Sequence, residues 1–449
     1  MSHVLTSPGW WFLVVVVAWL IAGSALRGRS PVWHWYLVGY PRTWARITWS
    51  WRPLAIERGL SIARTSGHVM VGDLVVRGQD LRPVVPKILI SRPNRRGLTV
   101  RVRLLPGQTP ELYAQASEAL MHAWRVEGVR VTSRARGVVL IEALTVDPLA
   151  GVIERERSAE PGPVLSAGPA DRPVMALLAG ITERAESWII NLRLIPHWLI
   201  VGATLSGKST LVHALMTRLA EQNVALVGID LKGGLELGIY APRLSALATT
   251  REEAAEVLAA ILDEIHERME ACRLGRVRAV WELPEPPPPL VALIDEIAEL
   301  YLLTDPSDKE ERALRDRVIT ILLRIAQLGG SLDVHLIASG QRFGADLGQG
   351  ATGLRAQLGG RICLHVNDPE TALMVLGDIW PEAVAVAQMI LATERGVAVT
   401  SDGSGSWVRA RATLTSAEEA ERVALATARL TPVVAGLTRP WDGRGGDAG

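Results

Sequence analysis

Pro196-His-Trp-Leu-Ile-Val-Gly-Ala-Thr-Leu-Ser-Gly-Lys-Ser-Thr210 decides the reading of this chain. Between Gly202 and Ser209 it holds G-x-x-x-x-G-K-S, with an apolar run before it and a helical pattern after it. A loop that cradles phosphates must curl its backbone N–H groups inward, which calls for glycine where a Cβ would block the anion. A lysine must then reach the β- and γ-phosphates, and a hydroxyl must ligate Mg²⁺. Gly202, Gly207, Lys208 and Ser209 fill those roles, and the loop Gly202, Ala203, Thr204, Leu205, Ser206, Gly207, Lys208, Ser209, Thr210 is the expected ATP-binding segment. The helix that follows brings the positive end of its dipole to the same anion, with Leu211, Val212, Leu215 and Leu219 at helical spacing. Of the 48 Lys and Arg only four are lysine (Lys87, Lys208, Lys232, Lys309), so a lysine in this slot is informative.

Downstream, apolar runs alternate with helical patterns. Val224–Ile229, Leu290–Ile294, Val334–Ala338 and Arg361–Val366 read as strands, with helices over 252–270 and 310–328 between them. Such alternation argues a parallel sheet with helices on both faces, and ligands bind at the C-terminal ends of its strands. Leu290-Val-Ala-Leu-Ile-Asp-Glu296 closes a strand with two carboxylates: Asp295 is placed to hold the Mg²⁺ shell, and Glu296 to polarise the water that attacks the γ-phosphate. Gln341, at the end of the next strand, is a candidate γ-phosphate sensor. Arg361, with Arg355 beside it, is a candidate arginine finger reaching across a subunit boundary. Asp230-Leu-Lys-Gly-Gly-Leu-Glu-Leu237 has two readings: Lys232 facing DNA or phosphate, or a tight turn with a solvated lysine.

Toward the N-terminus, Gly9–Leu26 is eighteen residues without a charge, about 27 Å as a helix against a hydrocarbon core of roughly 30 Å. A cleaved signal peptide is the competing reading, with Gly23-Ser-Ala25 as its small-residue site. Against it, residues 1–8 lack Lys and Arg, while Arg27, Arg29, Arg42 and Arg46 follow the apolar run. The positive-inside rule then places the bulk of the chain in the cytoplasm. Eight of the fifteen Trp lie in the first 51 residues, mixed with arginine, as in an interfacial segment; a second, shorter crossing between Val32 and Ile47 stays open. From Arg27 to Leu104 fifteen Lys/Arg face three Asp/Glu, which suits either anionic lipid headgroups or nucleic acid. Cys272 and Cys363 offer no disulfide framework or metal cluster, which suits a reducing compartment.

Five segments result. Residues 1–60 form the anchor and basic juxtamembrane segment, and 61–146 a small α+β domain of β-α-β-β pattern. That domain has a helix over 110–124 whose apolar face is Leu112, Ala116, Leu120 and Ala123. Residues 147–173 are a Pro- and Gly-rich linker, 174–415 the α/β motor, and 416–449 a helix over 418–430 with a Gly-rich, disordered end.

These residues together resemble the FtsK/SpoIIIE family of double-stranded DNA translocases. The resemblance rests on Pro196-His197 ahead of Gly202-Ala-Thr204, on Asp230-x-Lys232-Gly-Gly-x-Glu236-Leu237, on Ile294-Asp-Glu296 followed by Ala298-Glu-Leu300, on Ala326-Gln327 before Gly329, and on Gln341-Arg342. It covers roughly residues 95–400. The unit carrying Leu105-Pro-Gly107 is similar to the family's α domain, which lies between membrane anchor and motor. The resemblance implies a RecA-like P-loop NTPase motor that forms a hexameric homo-oligomer around duplex DNA and hydrolyses ATP with Mg²⁺ at subunit interfaces. Leu205 stands where the family has glycine, and Ser339-Gly-Gln-Arg-Phe343 replaces its usual Thr-Gln-Arg-Pro. The single expected span, and the lack of room after Thr415 for a winged-helix module, point to the conjugative branch: transfer proteins of actinomycete plasmids and integrative elements, acting at the cytoplasmic membrane with accessory transfer proteins. Three alternatives are kept: a type VII secretion-like protein-export ATPase, a chromosome-partitioning DNA pump, and a non-motor ATP-binding scaffold.

Overall fold

The computed structural model describes residues 30–63, 83–94, 97–145, 147, 149–153, 175–344, 347–348, 350–377, 379–401 and 405–440. They fall into two compact units, Met1–Asp147 and Pro148–Gly449. The expected crossing at Gly9–Leu26, most of the 147–173 linker and the Gly-rich end 441–449 lie outside the described residues.

In the first unit, β1 (Ile62–Ala63) pairs with β2 (Pro83–Val84), and an antiparallel sheet runs in the order β3 (Ile88–Ile90), β4 (Gly97–Arg103), β6 (Val138–Leu144), β5 (Gly128–Ala135). The expected β-α-β-β core is present as β4, helix, β5 and β6, with β3 added at one edge. Its helix is two: Pro110–Gln115 and Ser117–Trp124, broken at Ala116. Tyr113, Ala116, Leu120 and Trp124, at helical spacing, are buried, while Leu112 is exposed. Helix Tyr40–Glu57, on the anchor side of the expected 60/61 boundary, sends Ile47, Trp51 and Ala55 into this same core. The rings of Trp51 and Trp124 lie 6.5 Å apart, and Trp51 Nε1 donates to Pro86 O at 2.8 Å. Among the described residues no helix is long and apolar enough to cross a membrane, so the second crossing left open over 32–47 is not found.

The second unit is built on ten strands: β7 (Ala176–Thr182), β8 (Ser187–Asn191), β9 (His197–Val201), β10 (Ala225–Ile229), β11 (Ala246–Ala248), β12 (Leu290–Ile294), β13 (Val334–Gly340), β14 (Gly360–Leu364), β15 (Val397–Ser401) and β16 (Trp407–Ala412). Their order is 11-10-12-13-9-14-15-16-7-8. The expectation of a parallel sheet holds for the six strands from β11 to β14; β15, β16, β7 and β8 add an antiparallel wing, so the sheet is mixed. Alternation along β9 shows why both faces are covered. Leu199 and Val201 pack with helices Arg251–Gly275 and Lys309–Leu328, whereas Trp198 and Ile200 pack with helix Lys208–Ala220. Helix Ala417–Thr427, expected in a separate C-terminal segment, buries Ala420 and Ala424 on that second face. Each fully buried Leu, Ile or Val contributes about 1.5–3 kcal/mol, and the central strands are buried along their whole length.

Turn and helix chemistry fix the ends. Helix Arg251–Gly275 opens with a capping box in which Thr250 Oγ1 accepts from Glu253 N at 3.2 Å and Glu253 Oε2 accepts from Thr250 N at 3.2 Å. Ahead of β13, buried Asp333 accepts from Arg193 Nη2 at 2.9 Å and lies 3.1 Å from His335 Nε2. Burial pushes the Asp333 carboxyl upward, but these hydrogen bonds and the charges of His335 and Arg193 together outweigh it and hold the group below its ordinary value. The stability it contributes is therefore present above about pH 4 and is lost as the pH falls through the lowered folded value. Asp333→Ala, which leaves the buried His335 and the partly exposed Arg193 without their carboxylate, should cost about 3 kcal/mol in urea unfolding at pH 7, and clearly less at pH 3. An unchanged cost across that range would contradict the assignment.

Candidate nucleotide-binding and catalytic site

Strand β9 ends at Val201 and the chain turns through Gly202–Gly207 into helix Lys208–Ala220. Neighbouring backbone closes this loop on three sides. Gly202 N donates to Gly340 O at 3.2 Å, Ala203 N to His365 O at 2.9 Å, and Gly396 N to Ser206 O at 2.8 Å. Glycine at 207 has φ +98°, and a Cβ there would run into the backbone of Gly396; one at 202 would meet Leu364 Cβ at 2.9 Å. Room for phosphate is thus joined by a second demand, the close pass of the chain's own backbone. Gly202, Ala203 and Ser206 are buried, while Thr204 and Leu205 are exposed. Ser206 Oγ is buried without a hydrogen-bond partner, and the first-turn N–H groups from Lys208 to Thr210 have no acceptor within their own helix. Such a ring of donors suits an anion.

Walker-type acids stand across from it. β12 lies next to β13, which lies next to β9, so Asp295 and Glu296 end their strand beside the loop. Lys208 Nζ donates to Asp295 O at 3.1 Å and lies 3.9 Å from Asp295 Oδ1 and 3.7 Å from Glu296 Oε2. The two sequence clusters therefore share one site. Ser339 Oγ donates to the Asp295 carbonyl, and Gln341 N donates to Glu296 Oε1 at 3.2 Å. Gln341 joins the site through its backbone N–H; its side chain is exposed.

Arg361 does not join it. It stands near the start of β14, paired with Leu199, while the loop contacts the chain beyond the other end of that strand at His365. Arg361 is 3% exposed, and its Nη2 donates to Arg355 O at 2.6 Å. A side chain enclosed in its own chain is not the projecting group a neighbouring nucleotide requires, so the finger role is corrected for Arg361.

Three residues of 230–237 enter the site more fully than their sequence signalled. Ile229 of β10 pairs with Ile294 of β12, so Asp230 and Asp295 begin adjacent loops. Lys232 Nζ lies 3.6 Å from Asp295 Oδ2 and 3.6 Å from Glu296 Oε2. Ser209 Oγ donates to Glu236 Oε1 at 3.2 Å, and Glu236 Oε2 lies 3.9 Å from His213 Nε2. Burial lowers the His213 pKa, against the pull of Glu236 and Asp295. Asp230 is fully buried and accepts from the N–H groups of Lys232, Glu236 and Leu237 at 3.2, 2.8 and 3.1 Å. The string Asp-x-Lys-Gly-Gly-x-Glu was the available signal; strand adjacency, which gives it meaning, is not local in sequence.

The chain is similar to known proteins over the ranges that hold both units. The FtsK/SpoIIIE family profile matches residues 163–283 and 277–345, and that of the actinomycete conjugal transfer protein N-terminal domain matches 20–145. The chain is 38% identical over 365 residues to the transfer protein TraSA of Streptomyces ambofaciens, covering 78% of this chain and 84% of the relative. It is 44% identical over 268 residues to a sporulation regulatory protein of Streptomyces azureus, covering 59% and 88%. Against the DNA translocase FtsK of Mycobacterium tuberculosis the figures are 30% over 284 residues, 56% of this chain and 32% of the relative. The conjugation coupling protein TcpA, solved in a monomer form with ATPgS, superposes with TM-score 0.54 at 18% identity over 84% of this chain and 98% of that one, a likeness of fold alone.

Leu205, where the resemblance expects glycine, has φ +65° and is 68% exposed. Left-handed backbone costs a non-glycine residue about 1–2 kcal/mol, against about 0.5–1 kcal/mol of chain entropy for glycine. Leu205→Gly should therefore raise the unfolding free energy by up to about 1 kcal/mol. A marked loss of stability in denaturant titration would show that the leucine side chain makes contacts worth more than its strain.

Proposed function

The chain belongs to the FtsK/SpoIIIE family, and from that premise we propose that it is a membrane-anchored ATPase that drives double-stranded DNA through the envelope in conjugative transfer. One observation carries the reading: the phosphate-loop lysine and the paired acids at the end of β12 converge, with Lys208 Nζ 3.7 Å from Glu296 Oε2. The residues fit a nucleotide, since the buried Ser206 Oγ has no hydrogen-bond partner and the N–H groups of the first helical turn have no acceptor within their own helix. In this assignment the backbone of 202–210 cradles the phosphates and Lys208 neutralises the β- and γ-oxygens. Ser209 and Asp295 would hold a Mg²⁺ ion, which when bound neutralises charge on the β- and γ-phosphates. Glu296 draws a proton from the attacking water and is held in place by Gln341 N.

Lys208→Ala should lower the ATP turnover rate roughly a hundredfold or more by removing that charge. Glu296→Gln, whose amide oxygen can still accept from Gln341 N, should bind ATP but turn over at least about a hundredfold more slowly. Linear duplex DNA should stimulate the parent strongly, and the stimulation should fade steeply with added salt, because phosphate contacts dominate a motor that tracks the backbone without regard to sequence. Turnover indifferent to duplex would favour protein export or a scaffold role.

The same proposal includes a homo-oligomeric, hexameric ring acting with accessory transfer proteins, as the motif resemblance of residues 196–342 implies. We propose a cytoplasmic motor behind a membrane anchor, a reading supported by the uncharged run Gly9–Leu26 and by the arginines that follow it in the sequence. Deleting residues 1–29 should move the protein from the carbonate-washed membrane pellet to the soluble fraction; a parent already soluble would sink the anchor.

A further inference from the structure

Among the contacts of the site, those of Lys232 are not used by the ATPase reading. Asp295 and Glu296 are 2% and 8% exposed, and adjacent carboxylates at such depth repel one another and lose hydration. Lys208 approaches Asp295 at Oδ1, whereas Lys232 approaches the same carboxylate at Oδ2, 3.6 Å away, and Glu296 Oε2 at 3.6 Å. The acid pair is thus flanked by two ammonium groups. A divalent ion on Asp295 and a lysine held against Asp295 Oδ2 would bring like charges together. One of them has to leave.

The loop is built so that the side chain can leave while the backbone stays. Asp230 grips the N–H groups of Lys232, Glu236 and Leu237, and Gly234 N donates to Asp230 O at 3.1 Å. Gly233 and Gly234, at φ +73° and +77°, make the tight turn between those points. Lys232 itself is 40% exposed along its side chain, against 13% for Lys208, so its ammonium has an open route to water. At the far end of the loop Glu236 accepts the Ser209 proton, which leaves the Oγ lone pairs for a metal.

We propose that Lys232 is the resident counter-cation of the acid pair, holding the metal's place on Asp295 and Glu296 and swinging into solvent when a metal-bound nucleotide enters. This rests on the ATPase reading above and assigns Lys232 a positioning role toward the metal, with no contact to the phosphates. Lysine serves here as a compact, hydrated charge on a flexible stem, which releases more readily than a forked guanidinium.

The test uses the full chain in detergent, a fluorescent ATPγS analogue at fixed concentration and a titration with MgCl₂, reading nucleotide fluorescence instead of turnover. Lys232→Met should lower the Mg²⁺ midpoint about fivefold, the scale expected when a partly exposed ion-pair competitor is removed, and leave metal-free nucleotide binding as in the parent. Lys232→Gln, which keeps a polar head at the exposed position, should shift the same way, and Lys232→Arg, whose guanidinium releases less readily, should bring the midpoint back to the parental value or above it. An unshifted midpoint in both neutral variants overturns the proposal. Loss of nucleotide binding with and without Mg²⁺ overturns it as well, since it would make Lys232 a phosphate ligand. If the parent bound no nucleotide at all, the ATPase reading would fail too; a binding parent with unshifted variants fails this inference alone.

Discussion

Two neighbouring carboxylates buried at the end of one strand set the terms for the rest of this molecule. Asp295 and Glu296, side by side at that depth, repel one another and lose hydration, and cations and donors brought from elsewhere in the chain offset both costs. Lys208 comes from the start of the helix that follows β9 and its loop, Lys232 from the loop after β10, and the Gln341 N–H from just past the end of β13. Those three segments are scattered in sequence. They meet because the parallel strands end in register, Ile294 beside Ile229 and Ala338, and Gly340 beside Val201. The apolar interior of the sheet therefore does more than stabilise the unit: it aligns the strand ends to the precision the charges require.

The phosphate loop has a similar dependence on distant chain. Its outer contacts are His365 O beyond β14 and Gly396 N ahead of β15, both past residue 345, where the family profile ends. β15 is held in turn by the antiparallel wing that reaches through β16 back to β7. A loop that must keep its N–H groups pointed at an anion gains by such bracing, because its hydrogen-bonding groups are then committed before the ligand arrives. The mixed sheet is in this sense part of the site, although none of its antiparallel strands carries a predicted functional residue.

How much of this was legible follows from how local each signal is. The loop 202–209 and the ending Ile294-Asp-Glu296 are contiguous motifs, and the strand and helix periods around them read correctly to within a few residues. β13 lying between β9 and β12 left no trace in the sequence, nor did the placing of 230–237 beside the acids, since strand order depends on which faces find partners after collapse. Arg361 misled for the opposite reason. Its type and neighbourhood suggested a projecting group, but its position near the start of β14 turned it inward, onto the carbonyl of Arg355. The 110–124 helix read as continuous because nothing in its composition breaks it at Ala116, and Tyr113, Ala116, Leu120 and Trp124 all reach one core across the break.

Tryptophan in the N-terminal region shows the same division at finer grain. Sequence groups Trp33 to Trp51 as one aromatic, arginine-bearing segment suited to a membrane interface. In the structure helical spacing sorts them. Ile47, Trp51 and Ala55, four apart, enter the domain core, and Trp35 is buried with its Nε1 donating to Asn94 O at 2.6 Å. Trp33, Trp44 and Trp49 remain 61%, 46% and 81% exposed. One set of indoles therefore fastens helix 40–57 to its own domain, and the other is left to solvent. Because the core residues take one face, the exposed tryptophans are confined to what remains of the helix surface, together with the chain leading back to residue 30. The proposed anchor thus rests on fewer aromatics than the sequence count suggests, and on ones whose exposure the domain's own packing leaves unexplained.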